Sequence, residues 1–240
     1  MKTPVIFPSP TEVEGEQPLR AGFLLPRDML FAPARAFGLV AATREWLPAL
    51  LIVVCIGFAS VALVAPAFSN VAVETAKADR TALLSARDLA DVGRTALALL
   101  VVQTTLYPAL GWLFTAATLT MIARFRGAPS TFSTFFSLAA NAGVAAALGE
   151  LMQGLAVRLH PPSSYHTWAQ IALALPLNLA IFAPHGTDRE IAFLSSFDLF
   201  TAWSLVLIAY GFAQLARVRL TTALSISFGI ALALVILVGL

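Results

Sequence analysis

The distribution of apolar residues divides the chain into long greasy runs separated by short polar breaks. Trp46–Val73 carries no charge, and neither does Thr95–Ala123. Phe132–Val157 has a single ionisable side chain, Glu150, and Leu220–Leu240 has none. Ile191–Ala216 has one, Asp198. A helix needs roughly 20 mostly apolar residues to cross a bilayer. These runs therefore predict spans near 47–67, 96–122, 132–157, 196–216 and 220–240. A shorter run, 168–184, holds Gln170, Pro176 and Asn178 and stops at Pro184. It reads as an interfacial piece, a re-entrant piece or a sixth span.

Charge arbitrates between five spans and six, because cytoplasmic loops carry an excess of Lys and Arg. With five spans and a cytoplasmic N-terminus, the inner segments hold nine: Lys2, Arg20, Arg27, Arg35, Arg44, Arg124, Arg126, Arg217 and Arg219. The outer segments hold six: Lys77, Arg80, Arg87, Arg94, Arg158 and Arg189. A sixth span makes the split eight against seven, so five spans fit better. The expected fold is an all-α polytopic membrane protein with five transmembrane helices, six being the alternative.

The remaining stretches predict smaller elements. Residues 1–28 hold five prolines and three glutamates without an apolar core, which reads as a disordered cytoplasmic tail and not as a signal peptide. Pro33–Arg44 predicts a helix with proline in its first turn. Phe31, Phe37, Val40 and Trp46 suggest that it lies along the inner interface. Residues 74–94 mix acids and bases and predict a solvated outer helix with near-neighbour ion pairs. Ser195 and Asp198 have the spacing of a capping box, with Ser195 as N-cap of the fourth span.

Composition sharpens the membrane class. Hydrophobic residues make up 59% of the chain and charged residues 12%, about half the share in soluble domains, roughly 25%. Mean hydropathy is +0.84. A net charge of +2 gives no footprint for nucleic acid. One cysteine, Cys55, excludes an intrachain disulfide and reads as a small buried hydrophobe. Neither end carries a lipidation motif.

Chemistry is sparse. Glu150 lies seven residues from Val157, about 10 Å from the outer end of its span. Ala139, Gly143, Ala147, Glu150 and Gly154 follow steps of three and four and share one helix face. Small residues let a second helix approach closely, so this is a packing face that aims Glu150 at a neighbour. Two readings stand: a carboxyl hydrogen-bonded within the packing, or a proton or cation site. Gln103, Tyr107, Pro108 and Gly111 interrupt the second span, as a kink or as substrate-lining positions. His160, His166 and His185 match no metal-ligand spacing. The serines of 128–137 read as caps and polar contacts where the third span begins. Nucleophile elbow, phosphate loop, HExxH and GxGxxG are missing. No catalytic residue, cofactor or metal is therefore assigned, and the expectation is a protein that is not an enzyme.

Three stretches together resemble the Yip (Ypt-interacting protein) domain family in its bacterial form. They are Asp198, Phe200, Trp203 and Gly211 at the fourth span, Gly127, Ser130, Thr131 and Phe132 at the entry to the third, and Pro33, Phe37, Trp46 and Pro48 around the first. The resemblance covers about 29–240; residues 74–94 and 158–195 depart from it. It implies five spans and a cytoplasmic N-terminus. It also implies a non-enzymatic scaffold or accessory subunit, of trafficking type in eukaryotes and of efflux-accessory type in some bacteria. The partners expected are the lipid bilayer and other membrane proteins, or further copies of the chain. The small-residue face around Gly143 and the basic inner loops are the expected contact surfaces. The location expected is the bacterial inner membrane, with the C-terminus outside. A small permease or ion-coupled transporter using Glu150 is the alternative.

Overall fold

In the computed structural model, residues 18–79, 85–129 and 131–239 are described. The described residues form helices joined by short turns, with no strand among them. Four helices are long and apolar enough to cross a bilayer. They are α3 (Leu47–Asp79), α4 (Ala86–Phe125), α5 (Phe132–Arg158) and α9 (Leu220–Gly239). A shorter apolar helix, α8 (Leu199–Leu215), packs with them. This is an all-α polytopic membrane protein.

Helix α5 sits at the centre, against α3, α4 and α8. Its glycines set the distances. A Cβ on Gly143 would fall 2.5 Å from Trp112 Nε1, and one on Gly149 2.8 Å from Phe200 Cβ. The reciprocal approach comes from α8, where a Cβ on Gly211 would meet Leu138 Cδ1 at 2.4 Å and Phe37 Cδ1 at 3.0 Å. Between two helices in lipid there is little hydrophobic gain to be had, so close packing through small residues holds them together. Polar contacts add to it. Ser60 donates to the Glu150 carbonyl at 2.8 Å, and Ser137 and Asn141 both donate to the Glu45 carbonyl, at 2.5 and 2.8 Å.

The N-terminal region departs from expectation. Residues 18–28 are not a disordered tail: they lie in α1 (Pro18–Phe31), whose Leu25 and Met29 are buried in the main core. Prolines and polar residues masked the helix, and Pro26 is carried inside it. Residues 1–17 lie outside the described part. Helix α2 (Pro33–Thr43) starts on proline as expected, but its Phe37 and Val40 point into the bundle core and not into an interface. Phe31 stays exposed. Asp28, almost fully buried, joins the two helices by pairing with Arg27 at 2.9 Å and Arg35 at 3.6 Å.

The 74–94 stretch is not one helix. Its first part ends α3 and its last part begins α4, which Ser85 and Asp88 cap reciprocally. Residues 80–84 are outside the described part. The expected ion pairs form within each piece: Lys77 with Glu74 at 2.8 Å and Arg94 with Asp91 at 3.4 Å. Cys55 is exposed, on a lipid-facing side of α3, and not buried.

Residues 159–198 fold into a cap over one end of the bundle. Tyr165 donates to the Val157 carbonyl at 3.2 Å, and Asn70 donates to the carbonyls of Pro162 and Tyr165 at 3.3 and 2.9 Å. Trp168 stacks near Phe68 with centroids 4.6 Å apart, and Gln153 donates to the Ile171 carbonyl. The 168–184 run is not a sixth span. Helix α6 (Trp168–Ala172) is five residues long, about 7.5 Å. Turns and a 3₁₀ segment, Leu179–Phe182, follow it. Helix α7 (Asp188–Ser195) leads into α8. Its first turn is closed by a Thr187–Glu190 capping box. Hydrogen bonds to Thr187 hold the Glu190 carboxyl below its ordinary value.

At the opposite end, Val40, Ala123, Phe135 and Ala216 pack together. Arg44, Arg124, Arg126, Arg217 and Arg219 are therefore gathered at that end. Two of its turns place arginine in the left-handed region, Arg44 at φ 56° and Arg217 at φ 53°, and a third uses Gly127 at φ 70°.

Candidate functional site

A cavity of about 380 Å³ opens among α4, α5, α8 and α9. Each wall has a physical origin. Helix α5 contributes Gly143 and Ala147, whose lack of bulk leaves space beside Glu150. Helix α4 contributes Gln103, Tyr107, Pro108 and Gly111, the positions that break its apolar run. Helix α8 supplies Thr201 and Ser204, and α9 supplies Ser227 among aliphatic residues.

The residues singled out in the sequence meet here in part. Ala139, Gly143, Ala147 and Glu150 all line the cavity, whereas Gly154 packs against Ser60 and Leu63 of α3. The small-residue face is thus turned inward, packed by Trp112 at Gly143 and by α3 at Gly154, with the cavity between. It is not a free contact surface for a partner, which corrects that part of the expectation. Among the described residues the Glu150 carboxyl has no hydrogen-bond or ion-pair partner, and no Lys, Arg or His lines the cavity. Its backbone carbonyl, in contrast, is engaged by Ser60.

Asp198 has a clear structural task. It is the N-cap of α8, accepting from the backbone N–H of Phe200 at 2.6 Å and of Thr201 at 2.9 Å. The Thr201 hydroxyl donates to its second oxygen at 2.6 Å. The capping box expected from Ser195 is corrected by this register. Ser195 closes α7, donating to Ala192, and the cap falls three residues later. A carboxylate here also suits the positive end of the helix dipole. Backbone pairing of Leu177 and Leu179 with Leu199 and Phe197 fixes the same junction.

Ser227 and Thr201 went unnoticed in the sequence, since isolated hydroxyls in apolar helices give no signal by spacing. Ser227 is 1% exposed, and its Oγ has no hydrogen-bond partner among the described residues. The serines of 128–137 divide: Ser137 is a buried interhelical donor, and Ser130 lies outside the described part. The three histidines do not converge, and among the described residues no group of three His, Cys, Asp or Glu side chains is placed to hold a metal.

Apolar spans, a small-residue central helix and a largely apolar cavity that holds one carboxyl define a multi-pass membrane protein. A family model, the Yip1 domain, matches residues 27–240, nearly the whole chain, and the protein belongs to that family. No curated protein and no solved structure matches the chain. The matched range takes in part of α1 and all of α2. Several resembling positions have packing roles in the fold. Phe37 and Gly211 meet across α2 and α8, and Phe200 fills the space left by Gly149.

Proposed function

We propose that this protein is a non-enzymatic scaffold or accessory subunit that works by contact with other membrane proteins or with further copies of itself. The observation that carries the reading is α4. It is the longest helix described, yet along its most apolar stretch almost nothing is covered by the rest of the chain. Leu99, Val102, Leu106, Leu110 and Leu113 are exposed along it. The polar groups of the cavity are a carboxyl, an amide and hydroxyls, with no nucleophile hydrogen-bonded to a base among them. Membership of the Yip1 family agrees with this role.

The same reading has five crossings, counting α8, a cytoplasmic N-terminus and a bacterial inner-membrane location. The five arginines gathered at one end of the bundle support that orientation. A photo-crosslinking residue at Leu106 or Leu110, used in native membranes, should capture a protein. Capture of lipid alone at both positions would count decisively against the role. A reporter fused near Gly186 should read outside.

The cavity favours a second reading, a small permease that uses Glu150. It predicts a flux in proteoliposomes that Glu150→Gln abolishes. A sealed, flux-free wild type rules it out and leaves the first reading untouched.

A further inference from the structure

We propose that the cavity among α4, α5, α8 and α9 binds a single-chain cationic amphiphile, its ammonium head against Glu150 and its tail in the surrounding hydrocarbon. The inference concerns what the cavity holds, and it stands whether the protein acts as a scaffold or as a permease.

The charge balance comes first. Glu150 lines the cavity without an ion-pair or hydrogen-bond partner among the described residues. No Lys, Arg or His side chain lines the cavity. An ionised carboxyl inside a membrane is expensive unless something complements it, and the cavity walls supply no cation. A ligand bearing positive charge completes the site, and an anionic one is repelled.

A second, independent observation points into the same space. Ser227, on the facing helix, borders the cavity and is 1% exposed, and its hydroxyl has no hydrogen-bond partner among the described residues. Buried hydroxyls are rarely left unsatisfied. An ammonium carries three donors and suits a carboxyl and a hydroxyl oxygen together. The rings of Tyr107 and Trp112 on the α4 wall add faces that attract a cation. A bare metal ion fits less well, since no three ligating side chains converge among the described residues.

Shape selects the rest of the ligand. The volume, about 380 Å³, falls in the range of small-molecule pockets, roughly 300–1,000 Å³. It is too small for a partner helix. Helices α4 and α9 barely touch, and Gln103 and Tyr107 are exposed at the mouth between them. Ile230 and Leu234 make the α9 wall apolar. The opening is therefore sideways, toward lipid, which suits a molecule that arrives through the bilayer and leaves its tail there.

The test uses the full chain in phosphatidylcholine nanodiscs and dodecylamine carrying a diazirine in its tail. Photolabelling should saturate, map to α4 and α9 beside the cavity, and be displaced by plain dodecylamine but not by dodecanol or dodecyl sulfate. Glu150→Gln should raise the half-saturating concentration about tenfold, the scale of one lost charge-assisted hydrogen bond. Ser227→Ala should raise it by a smaller factor. Labelling that never saturates, or that dodecanol displaces as well as the amine does, overturns the proposal. So does a folded Glu150→Gln protein with unchanged half-saturation. If that variant does not fold, the competition between amine and alcohol on the wild type decides alone. Neither outcome depends on whether α4 crosslinks to a protein or whether vesicles show a flux.

Discussion

Helices α4 and α5 are neighbours of nearly equal hydropathy and opposite fate. Their most apolar stretches average 1.6 and 1.4, yet 6% of the α4 stretch is buried within the protein against 67% of the α5 stretch. Hydropathy therefore decides that both enter the membrane and says nothing about which becomes the core. Size decides that. Helix α5 is rich in Ala and Gly, and at its glycines the neighbouring helices approach its backbone closely. Helix α4 turns Leu, Val, Phe and Tyr outward. Lipid tails solvate large aliphatic side chains about as well as another helix does, so α4 can leave its face to lipid or to a partner, whereas the small surface of α5 gains by close packing within the chain.

The contrast can be broken from the α5 side first. Gly143→Leu should be the most damaging single change. Its side chain must displace the Trp112 ring, and overpacking of this kind costs about 1–3 kcal/mol or more. Reversible unfolding in mixed micelles should show the loss. At the next level, Asp198→Ala removes the α8 cap and two backbone hydrogen bonds, for about 0.5–2 kcal/mol. Asp198→Asn should recover most of it, since its amide oxygen still accepts. If Asn is as damaging as Ala, charge and not capping is what α8 needs. From the α4 side, Leu110→Ala should change stability by under about 0.5 kcal/mol, as for an exposed position. A loss as large as that of Gly143→Leu would mean that the α4 face is covered in the assembled protein.

The smallest effect concerns pH at the cap region. Glu190 is fully exposed, and its carboxyl is held below its ordinary value by the backbone and side-chain hydrogen bonds of Thr187. Its contribution is complete above the unfolded carboxyl's pKa and is lost as pH falls through the lower folded value. Amide exchange in the first turn of α7 should accelerate over that acid range, and Glu190→Gln should flatten the dependence.

Legibility in the sequence followed how local each cause was. The α5 helix, Phe132–Arg158, coincides with an apolar run that ends at arginine, a signal contained in the segment itself. The α1 helix was missed, because it is stabilised by Leu25 and Met29 entering a core that α5 and α8 complete. A proline-rich segment shows no such partner. The cap of α8 was recognised as chemistry and misplaced by three residues. Ser195 and Asp198 both suit a helix start, and the turn between α7 and α8, tied to Leu177 and Leu179, chooses between them.

Glu150 shows the same division at the site. Its presence, its depth and the small residues on its helix face were all readable from spacing. That its carboxyl faces an open cavity, opposite an unpartnered Ser227 seventy-seven positions away, was not. Hydropathy and local periodicity by themselves determined that the chain enters the bilayer, where its main spans lie and which helix face is thin. Tertiary structure alone decided which helices pack against that thin face and which polar groups are satisfied. The reason is physical: partition into lipid is a sum over single residues, whereas packing and hydrogen-bond satisfaction belong to pairs distant in the chain.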